Sequence, residues 1–288
     1  MIKLWFIASV GELDQSNPQY KPIDLHLLES IISSTVFSGR IVYRTSLDST
    51  NILARKLSEE GYPLGTIVVT DYQRSGRGRM SRKWLSDPGS NLLFSAILRP
   101  TGVAVQQPTG LNSLFLFNAI AAVAMVEAIR CEYGLKSQIK WPNDVYLERK
   151  KLAGILSEFS LNSGIIEYVV VGVGLNVHWA PSELADNGEV PTCIDAKTGK
   201  PACRTRLLGA ILVRMDKHYR GLEAGQREGI LDSYKAYSAV LGKEIKVHDG
   251  KDVSVCRGVD ILPDGTLVVV GRDGEQRFLR WGDVSLRL

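Results

Sequence analysis

The longest helical pattern in the chain is apolar on most of its faces, and this constrains the fold more than any other feature. The pattern covers residues 112–133 and ends at Gly134, a residue typical of helix C-termini. A helix that is apolar all round has to be buried all round, so we expect other elements to surround it. Its most apolar run, residues 114–126, contains Asn118 and is shorter than the roughly 20 residues that cross a bilayer, so we expect no membrane span.

Short runs rich in β-branched and aromatic residues predict strands around this helix. They lie at 41–43, 66–70, 92–98, 138–141, 145–147, 154–159 and 167–177. Apolar residues at helical spacing predict further helices at 25–39, 51–61, 207–221 and 227–240. These elements predict a larger α/β domain over residues 41–240, preceded by an extension over residues 1–40.

After residue 240 the pattern changes to short strands separated by tight turns. Asp249-Gly250, Asp264-Gly265 and Asp273-Gly274 are each typical of a β-hairpin turn. We therefore expect residues 241–288 to form a separate small all-β barrel.

Composition excludes several classes of protein. Of 288 residues, 44% are apolar and the net charge is only +4, which favours a globular chain and does not by itself predict nucleic-acid binding. The four cysteines form no Cys-x-x-Cys pair, so neither a zinc site nor a disulfide framework follows. The first ten residues faintly imitate a signal peptide, but a polar run follows at once, so we expect a cytoplasmic protein.

The segment Gly76-Arg77-Gly78-Arg79 lies in a long loop between two predicted strands. Glycine allows the backbone to approach a ligand closely, and the two guanidinium groups offer forked donors to phosphate or carboxylate. A basic surface loop is an equally good interpretation of this segment alone. It matches neither a dinucleotide fingerprint nor a P-loop.

A Trp141-Pro142 corner presents Asn143 and Asp144 at the end of a strand. The proline restricts the preceding residue to extended angles and removes a backbone donor, so the strand has to turn there. An aspartate at such a position can hold Mg²⁺ against phosphates, and an asparagine can contact a nucleotide. Taken alone, an Asn-Asp turn is the simpler interpretation.

A lysine pair comes next, followed by small residues. Lys151 precedes Leu152-Ala153-Gly154, where another group can pack close to the backbone, while Lys150 is the expected solvated neighbour. Adjacent side chains on a strand point to opposite faces, so at most one of the two lysines should reach a site. The segment 172–176 similarly ends an apolar strand with glycines and Asn176, although a core strand with a packing glycine competes with a binding role.

Taken in order, these motifs resemble the biotin protein ligases. The residues that carry the resemblance are Asp48-Ser49-Thr50-Asn51, Gln73 with 76–79, 140–144, 151–156 and 172–176, and the C-terminal stretch from 258–260 to 282–286 resembles the SH3-like domain of that family. The resemblance implies an α+β fold class: a mixed-sheet catalytic domain of the class II synthetase and biotin ligase type with a C-terminal SH3-like β-barrel.

The resemblance also implies a two-step reaction that uses ATP, biotin and Mg²⁺. Biotin is first activated as biotinyl-5′-adenylate and then transferred to a lysine on the biotin-carrier domain of a biotin-dependent carboxylase. The implied catalytic residues are Lys151, Arg77 and Arg79, and Asp144 is the implied metal ligand. The implied biotin-binding residues are Ser49, Thr50, Asn51, Gln73, Gly76, Arg77, Gly78, Arg79, Trp84, Lys151, Gly154 and Leu156. The implied ATP-binding residues are Arg77, Arg79, Lys140, Trp141, Asn143, Lys151 and Asn176.

Two departures from the family pattern qualify these expectations. Many members carry a further glycine after the arginines, where this chain has Met80-Ser81, which predicts a stiffer loop. Members that also repress transcription begin with a winged helix-turn-helix, whereas about one predicted helix precedes Tyr43 here. We therefore expect no nucleic-acid partner. The family resemblance allows either a monomer or a homodimer.

Two alternatives remain open from sequence. A lipoate or octanoate protein ligase shares the fold and the acyl-adenylate chemistry, and differs in the pocket for the ligand's head group. A non-enzymatic nucleic-acid-binding protein could use the basic loop and the small barrel, but it has no need of the Trp-Pro-Asn-Asp corner.

Overall fold

The computed structural model describes residues 21–79, 82–101, 110–182, 190–249, 252–280 and 285–287. Within them, seven strands form one mixed sheet in the order β1-β2-β3-β7-β6-β5-β4. The strands are β1 (Ile41–Leu47), β2 (Ile67–Gln73), β3 (Leu92–Leu98), β4 (Gln138–Lys140), β5 (Asp144–Leu147), β6 (Lys150–Asn162) and β7 (Ile165–Leu175). β1 and β2 pair in parallel and the other neighbours pair antiparallel.

Helices cover the two faces of this sheet unequally. They are α1 (Leu25–Ile32), α2 (Thr50–Glu59), α3 (Gly110–Tyr133), α4 (Asp195–Thr198), α5 (Arg204–Glu223) and α6 (Arg227–Ala236). α3 packs against α5, α6 and strands β6 and β7, and belongs to the larger hydrophobic core. α2 packs on β2, β3 and β7 with a smaller, separate hydrophobic cluster.

The prediction of a central buried helix is confirmed, but the length argument against a membrane span was wrong. Residues Leu114–Tyr133 are long and apolar enough to cross a membrane. However, 83% of their most apolar window is buried inside the protein, as expected for a core helix.

Three predicted boundaries differ from the structure for local reasons. The helix predicted at 25–39 ends at Ile32. There the Thr35 hydroxyl donates to the Ile32 carbonyl at 2.7 Å, in place of a backbone N–H of a further helical turn. The helix predicted to end at residue 240 ends at Ala236, since the backbone N–H of Ala239 donates to Ile139 O on β4 at 2.7 Å. β6 begins at Lys150 and not at residue 154, because the lysine pair itself lies in the strand.

A second sheet follows at the C-terminus, as expected for a small SH3-like unit. It is antiparallel, with the order β11-β10-β9-β8-β12. Its strands are β8 (Glu244–Asp249), β9 (Asp252–Ile261), β10 (Leu267–Gly271), β11 (Gln276–Leu279) and β12 (Ser285–Arg287). The predicted mixed-sheet α+β fold is confirmed. Residues 1–20 of the predicted extension lie outside the described residues.

Candidate active site

The central strands of the large sheet carry small residues on the face where α2 packs. Side chains alternate along a strand, so Ser95 on β3 and Gly172 and Gly174 on β7 share the face of the smaller cluster. Gly154 on β6 pairs with Gly174 across the strands. Because these side chains are small or absent, other groups can lie directly on the strands here, and we call this strip of the sheet the furrow.

One end of the furrow is lined by hydrogen-bonded polar side chains at the start of α2. Gln73 Oε1 accepts from the Thr50 backbone N–H at 2.8 Å and lies 3.2 Å from Thr50 Oγ1. Ser95 Oγ lies 2.8 Å from Thr50 Oγ1 and 2.7 Å from Asn51 Oδ1. Ser49, the N-cap residue, is buried beside them. The predicted head-group residues are therefore brought together.

The glycine–arginine loop runs beside this cluster. A Cβ at Gly76 would come within 2.5 Å of the Trp84 carbonyl oxygen, so this position requires glycine. The loop closes on itself through Trp84 N–H to Gly76 O at 3.0 Å and Gly78 N–H to Arg82 O at 2.7 Å. Met80 and Ser81, where the chain departs from the family pattern, lie outside the described residues.

The two arginines of the loop have different surroundings. Arg77 is exposed, whereas Arg79 is partly buried and its Nη1 donates to Asn143 Oδ1 at 2.9 Å. Burial lowers the pKa of Arg79, and the neighbouring carboxylate of Asp144 acts in the opposite direction. Arg79 therefore faces the Trp-Pro corner, while Arg77 extends into solvent.

Trp84 lies over the furrow. Cβ atoms built at Gly174 and Gly154 would come within 2.4 Å and 3.1 Å of its indole ring. The indole Nε1 is buried and has no hydrogen-bond partner within the described part of the chain. The indole ring of Trp84 therefore covers Gly154 and Gly174, and its N–H can donate a hydrogen bond to a ligand.

Lys151 reaches the same place from the neighbouring strand. Its Nζ lies 2.9 Å from Asp144 Oδ1. A Cβ built at Gly154 would lie 3.4 Å from that oxygen and 3.6 Å from Lys151 Cε. Lys150 points to the other side and is exposed, as the alternation of strand side chains predicts. The Lys151 backbone is held as well, since its N–H donates to Val190 O and its carbonyl accepts from Thr192 N–H, each at 2.8 Å.

The Trp-Pro corner is more enclosed than the sequence suggested. Trp141 is 1% exposed and its Nε1 donates to Gly265 O of the small sheet at 2.8 Å. Lys140 is buried, with its Nζ 3.0 Å from the hydroxyl of Tyr146. Asn143 Nδ2 donates to Ile155 O at 2.8 Å, which leaves its Oδ1 directed at Arg79. Within this corner, Asn143 is the predicted nucleotide residue that reaches the loop arginine.

Asn176 contacts the segments next to Lys151. Its Nδ2 donates to Thr192 O at 3.0 Å and its backbone N–H donates to Leu152 O at 3.0 Å. It thus holds the segment that hydrogen-bonds to the Lys151 backbone. This segment, residues 190–192, lies in the connection between β7 and α5 and is followed by α4.

The described residues contain no group of three or more His, Cys, Asp or Glu side chains that could hold a metal ion. The thiols of all four cysteines are free in this structure. Asp144 offers one carboxylate, and one of its oxygens already contacts Lys151. This donor set fits Mg²⁺ only as an ion that brings most of its ligands with a nucleotide, which is the usual mode for Mg²⁺ at phosphate sites.

Sequence reasoning missed two residues of this site, Ser95 and Glu158. Glu158 Oε2 accepts from Asn51 Nδ2 at 2.7 Å. The available signal was a serine inside the otherwise apolar run of β3, since a buried hydroxyl needs a partner.

Comparison with known proteins identifies the family. The sequence model of the biotin/lipoate A/B protein ligase family matches residues 42–176. The bifunctional ligase/repressor BirA of Bacillus subtilis is 30% identical over 248 residues, covering 86% of this chain and 74% of BirA. The biotin–[acetyl-CoA-carboxylase] ligase of Paracoccus denitrificans is 30% identical, covering 80% of this chain and 93% of that enzyme. The structure of the biotin protein ligase from Aquifex aeolicus in complex with biotin and ATP superposes with a TM-score of 0.70 at 26% identity, covering 86% of this chain and 98% of that one.

The chain therefore belongs to the biotin/lipoate A/B protein ligase family. Within that family, the relatives from Paracoccus denitrificans and Aquifex aeolicus are named as biotin ligases, so the family predicted from the motifs is confirmed and a lipoate ligase is not favoured. The roles of individual site residues stay predictions.

Proposed function

We propose that this protein is a biotin protein ligase that forms biotinyl-5′-adenylate from biotin and ATP and transfers biotin to a lysine of a biotin-carrier domain. The observation that carries the proposal is the convergence of Lys151, Asp144 and Trp84 over Gly154, next to the Thr50–Gln73 pocket. It supports a site with a polar end, an apolar wall and a fixed cation in one furrow.

In the first step a carboxylate oxygen of biotin attacks the α-phosphorus of ATP, and the bond to the β-phosphate oxygen breaks to release pyrophosphate. Negative charge grows on the transferred group, so fixed cations stabilise the transition state. Lys151 and Arg79 supply these cations in our proposal, and Arg77 joins them from the loop. Asn143 and Asn176 contribute to the nucleotide site. Asn143 orients Arg79, and Asn176 holds the segment that hydrogen-bonds to the Lys151 backbone.

Mg²⁺, when bound with ATP, would neutralise phosphate charge, and Asp144 is the residue that would hold it. The pocket of Ser49, Thr50 and Gln73 would bind the ureido group of biotin, with Trp84 against its apolar part. A small ligand of this kind needs a largely apolar pocket with a few satisfied polar partners. Lys140 and Trp141 would support the nucleotide side from their buried positions.

In the second step the ε-amine of the carrier lysine attacks the activated carbonyl carbon, the carbon–oxygen bond to AMP breaks, and a proton leaves the amine. The acceptor would be the carrier domain of a biotin-dependent carboxylase in the cytoplasm. We expect the protein to act as a monomer or homodimer without a nucleic-acid partner.

Pyrophosphate release tests the proposal directly. Purified protein with ATP and Mg²⁺ should release pyrophosphate when biotin is added and should label a biotin-carrier domain. Lipoate at the same concentration should give release near background. Release with lipoate and none with biotin would refute the proposal. Salt-sensitive binding to DNA or RNA without any adenylation would instead favour the nucleic-acid alternative.

A further inference from the structure

A row of hydrogen bonds runs from Glu158 on β6 to Gln73 on β2 through three buried side chains. Asn51 Nδ2 lies 2.7 Å from Glu158 Oε2, and Ser95 Oγ lies 2.7 Å from Asn51 Oδ1. Ser95 Oγ also lies 2.8 Å from Thr50 Oγ1, which lies 3.2 Å from Gln73 Oε1. Asn51, Ser95 and Thr50 are 4%, 0% and 3% exposed, so water does not compete for these groups.

The contacts of the Asn51 amide determine which group donates and which accepts in each hydrogen bond of this row. Its Nδ2 faces two groups that only accept, the Leu156 carbonyl at 3.0 Å and the Glu158 carboxylate at 2.7 Å. The amide oxygen therefore faces Ser95, and since that oxygen can only accept, the single hydroxyl proton of Ser95 goes to it. Ser95 Oγ is left as an acceptor toward Thr50.

The consequence appears at Thr50. Its one hydroxyl proton has acceptors on the protein side, Ser95 Oγ at 2.8 Å and Gln73 Oε1 at 3.2 Å. What Thr50 Oγ1 can still offer a ligand is a lone pair, which selects a ligand with an N–H or O–H donor at that point. The cyclic urea of biotin carries such N–H groups.

The sheet is shaped to admit this arrangement. A Cβ at Gly172 would lie 1.9 Å from Asn51 Oδ1, so only glycine leaves room for the amide against the strand. The position of the Asn51 oxygen is thus set by sterics from below and by Glu158 and Ser95 from the sides.

We propose that Ser95 and Glu158 are positioning residues for the head-group pocket, which orient Asn51 and the Thr50 hydroxyl so that Thr50 accepts a hydrogen bond from the ligand. This inference rests on the proposed function, since biotin is the ligand that the pocket is expected to hold. Ser95 and Glu158 act through Asn51 and Thr50, so their loss should weaken binding of biotin more than the handling of ATP.

Steady-state adenylation with Ser95→Ala, Glu158→Ala and Glu158→Gln tests the proposal. An unpaired buried hydrogen-bonding group costs enough to change affinity by about 10-fold or more. Ser95→Ala and Glu158→Ala should therefore raise KM for biotin about 10-fold, with kcat and KM for ATP within about 2-fold of wild type. Glu158→Gln should restore KM for biotin, because its amide oxygen still accepts from Asn51.

Ser157→Ala is the matched control. Ser157 is also a serine with a side-chain hydrogen bond, at 2.8 Å to Asn118 of α3 on the other face of the sheet. It should leave KM for biotin unchanged. Glu158 is only half-buried, so the Glu158 pair tests the row even if Ser95→Ala does not fold.

The inference is overturned if the Glu158→Ala protein keeps the wild-type KM for biotin, if Glu158→Gln is as impaired as Glu158→Ala, or if Ser157→Ala gives the same shift. If the wild-type protein adenylates biotin and the Ser95 and Glu158 variants have the same KM for biotin as the wild type, this inference alone is overturned. A wild-type protein with no biotin-dependent pyrophosphate release would overturn the proposed function and this inference together.

Discussion

The Nζ atom of Lys151 lies 2.9 Å from Oδ1 of Asp144, and the two side chains are only 23% and 14% exposed. A lysine on a flexible stem is normally solvated, so this pair holds the ammonium at one place before any ligand arrives. Fixed charges act more strongly in a transition state than charges that have to reorganise, because no energy is spent on moving them.

Replacing this lysine should therefore slow adenylate formation strongly and keep the fold. We expect Lys151→Ala to lower the rate of adenylate formation by about 10²- to 10³-fold, because a preorganised electrostatic contact is removed. Pyrophosphate release measures the rate and circular dichroism the fold. Lys150→Ala is the matched control, since that neighbour is exposed, and it should keep the wild-type rate. A Lys151→Ala protein within about 3-fold of wild type would remove Lys151 from the mechanism.

Asp144→Asn separates the two roles that Asp144 could have. If the carboxylate holds Mg²⁺, the Mg²⁺ concentration for half-maximal rate should rise by about 10-fold, since a charged ligand becomes neutral. If it only positions Lys151, kcat should fall with the Mg²⁺ dependence unchanged. We expect the first result, measured by titrating Mg²⁺ at saturating biotin and ATP.

Gly174 has to remain glycine if Trp84 is to lie in the furrow. A Cβ there would approach the indole ring to 2.4 Å, so Gly174→Ala should displace Trp84 and lower kcat/KM for biotin by about 10-fold or more. Gly229→Ala on α6 is the control, because a Cβ at that position has nothing within 4 Å. Equal kcat/KM values for the two variants would show that the Trp84 contact is dispensable.

Ligands should protect the glycine–arginine loop from trypsin. Arg77, Arg82 and Lys83 are exposed, and closure of a glycine-rich loop over biotin and ATP would cover them. We expect cleavage at these sites to slow by about 10-fold when both ligands are present. Cleavage after Arg149, at the exposed β5–β6 turn, serves as the internal control and should not change. Equal protection of both regions would indicate general stabilisation and not loop closure.

The β5–β6 turn offers a change in stability without a change in activity. Glu148 and Arg149 have φ angles of 50° and 63°, a region that costs a residue with a side chain about 1 to 2 kcal/mol. Arg149→Gly relieves this cost, but glycine loses more backbone entropy on folding, which offsets part of the gain. The net stabilisation should therefore be at most about 1 kcal/mol. Thermal unfolding should then shift upward by about 2 to 4 °C. Gly164→Ala, at φ 81°, should shift it downward.

The sequence predicted the architecture well because hydrophobic periodicity is local. The strand at Leu92–Leu98 was predicted at both ends, since its run of mostly apolar residues is bounded by Gly89-Ser90-Asn91 and by Arg99-Pro100. The start of β6 was missed because Lys150 and Lys151 are polar, although strand pairing with β5 and not side-chain polarity defines that element.

Only part of the site could be predicted from the sequence, because some of its residues are recognised only by their contacts with distant segments. Thr50, Gln73 and Lys151 stand in motifs, whereas Ser95 has meaning only through partners 44 and 45 residues away. Likewise, no local pattern shows that the Lys151 backbone is held by residues 190 and 192. Contacts between distant segments depend on the topology, and a single sequence does not encode them in any periodic form.

The hydrogen bond from Trp141 to the Gly265 carbonyl makes the turn between β9 and β10 of the small sheet part of the wall around the Trp-Pro corner. Gly265 also abuts Phe115 so closely that a Cβ there would lie 2.3 Å from its ring, and Phe115 in turn packs edge-on against Tyr234. The C-terminal unit is thus no detachable module, because its removal would expose Phe115 and Trp141, the residue that precedes Pro142, to water. A C-terminal unit taken from a relative would therefore need a glycine at the position of Gly265 to pack against Phe115 in the same way.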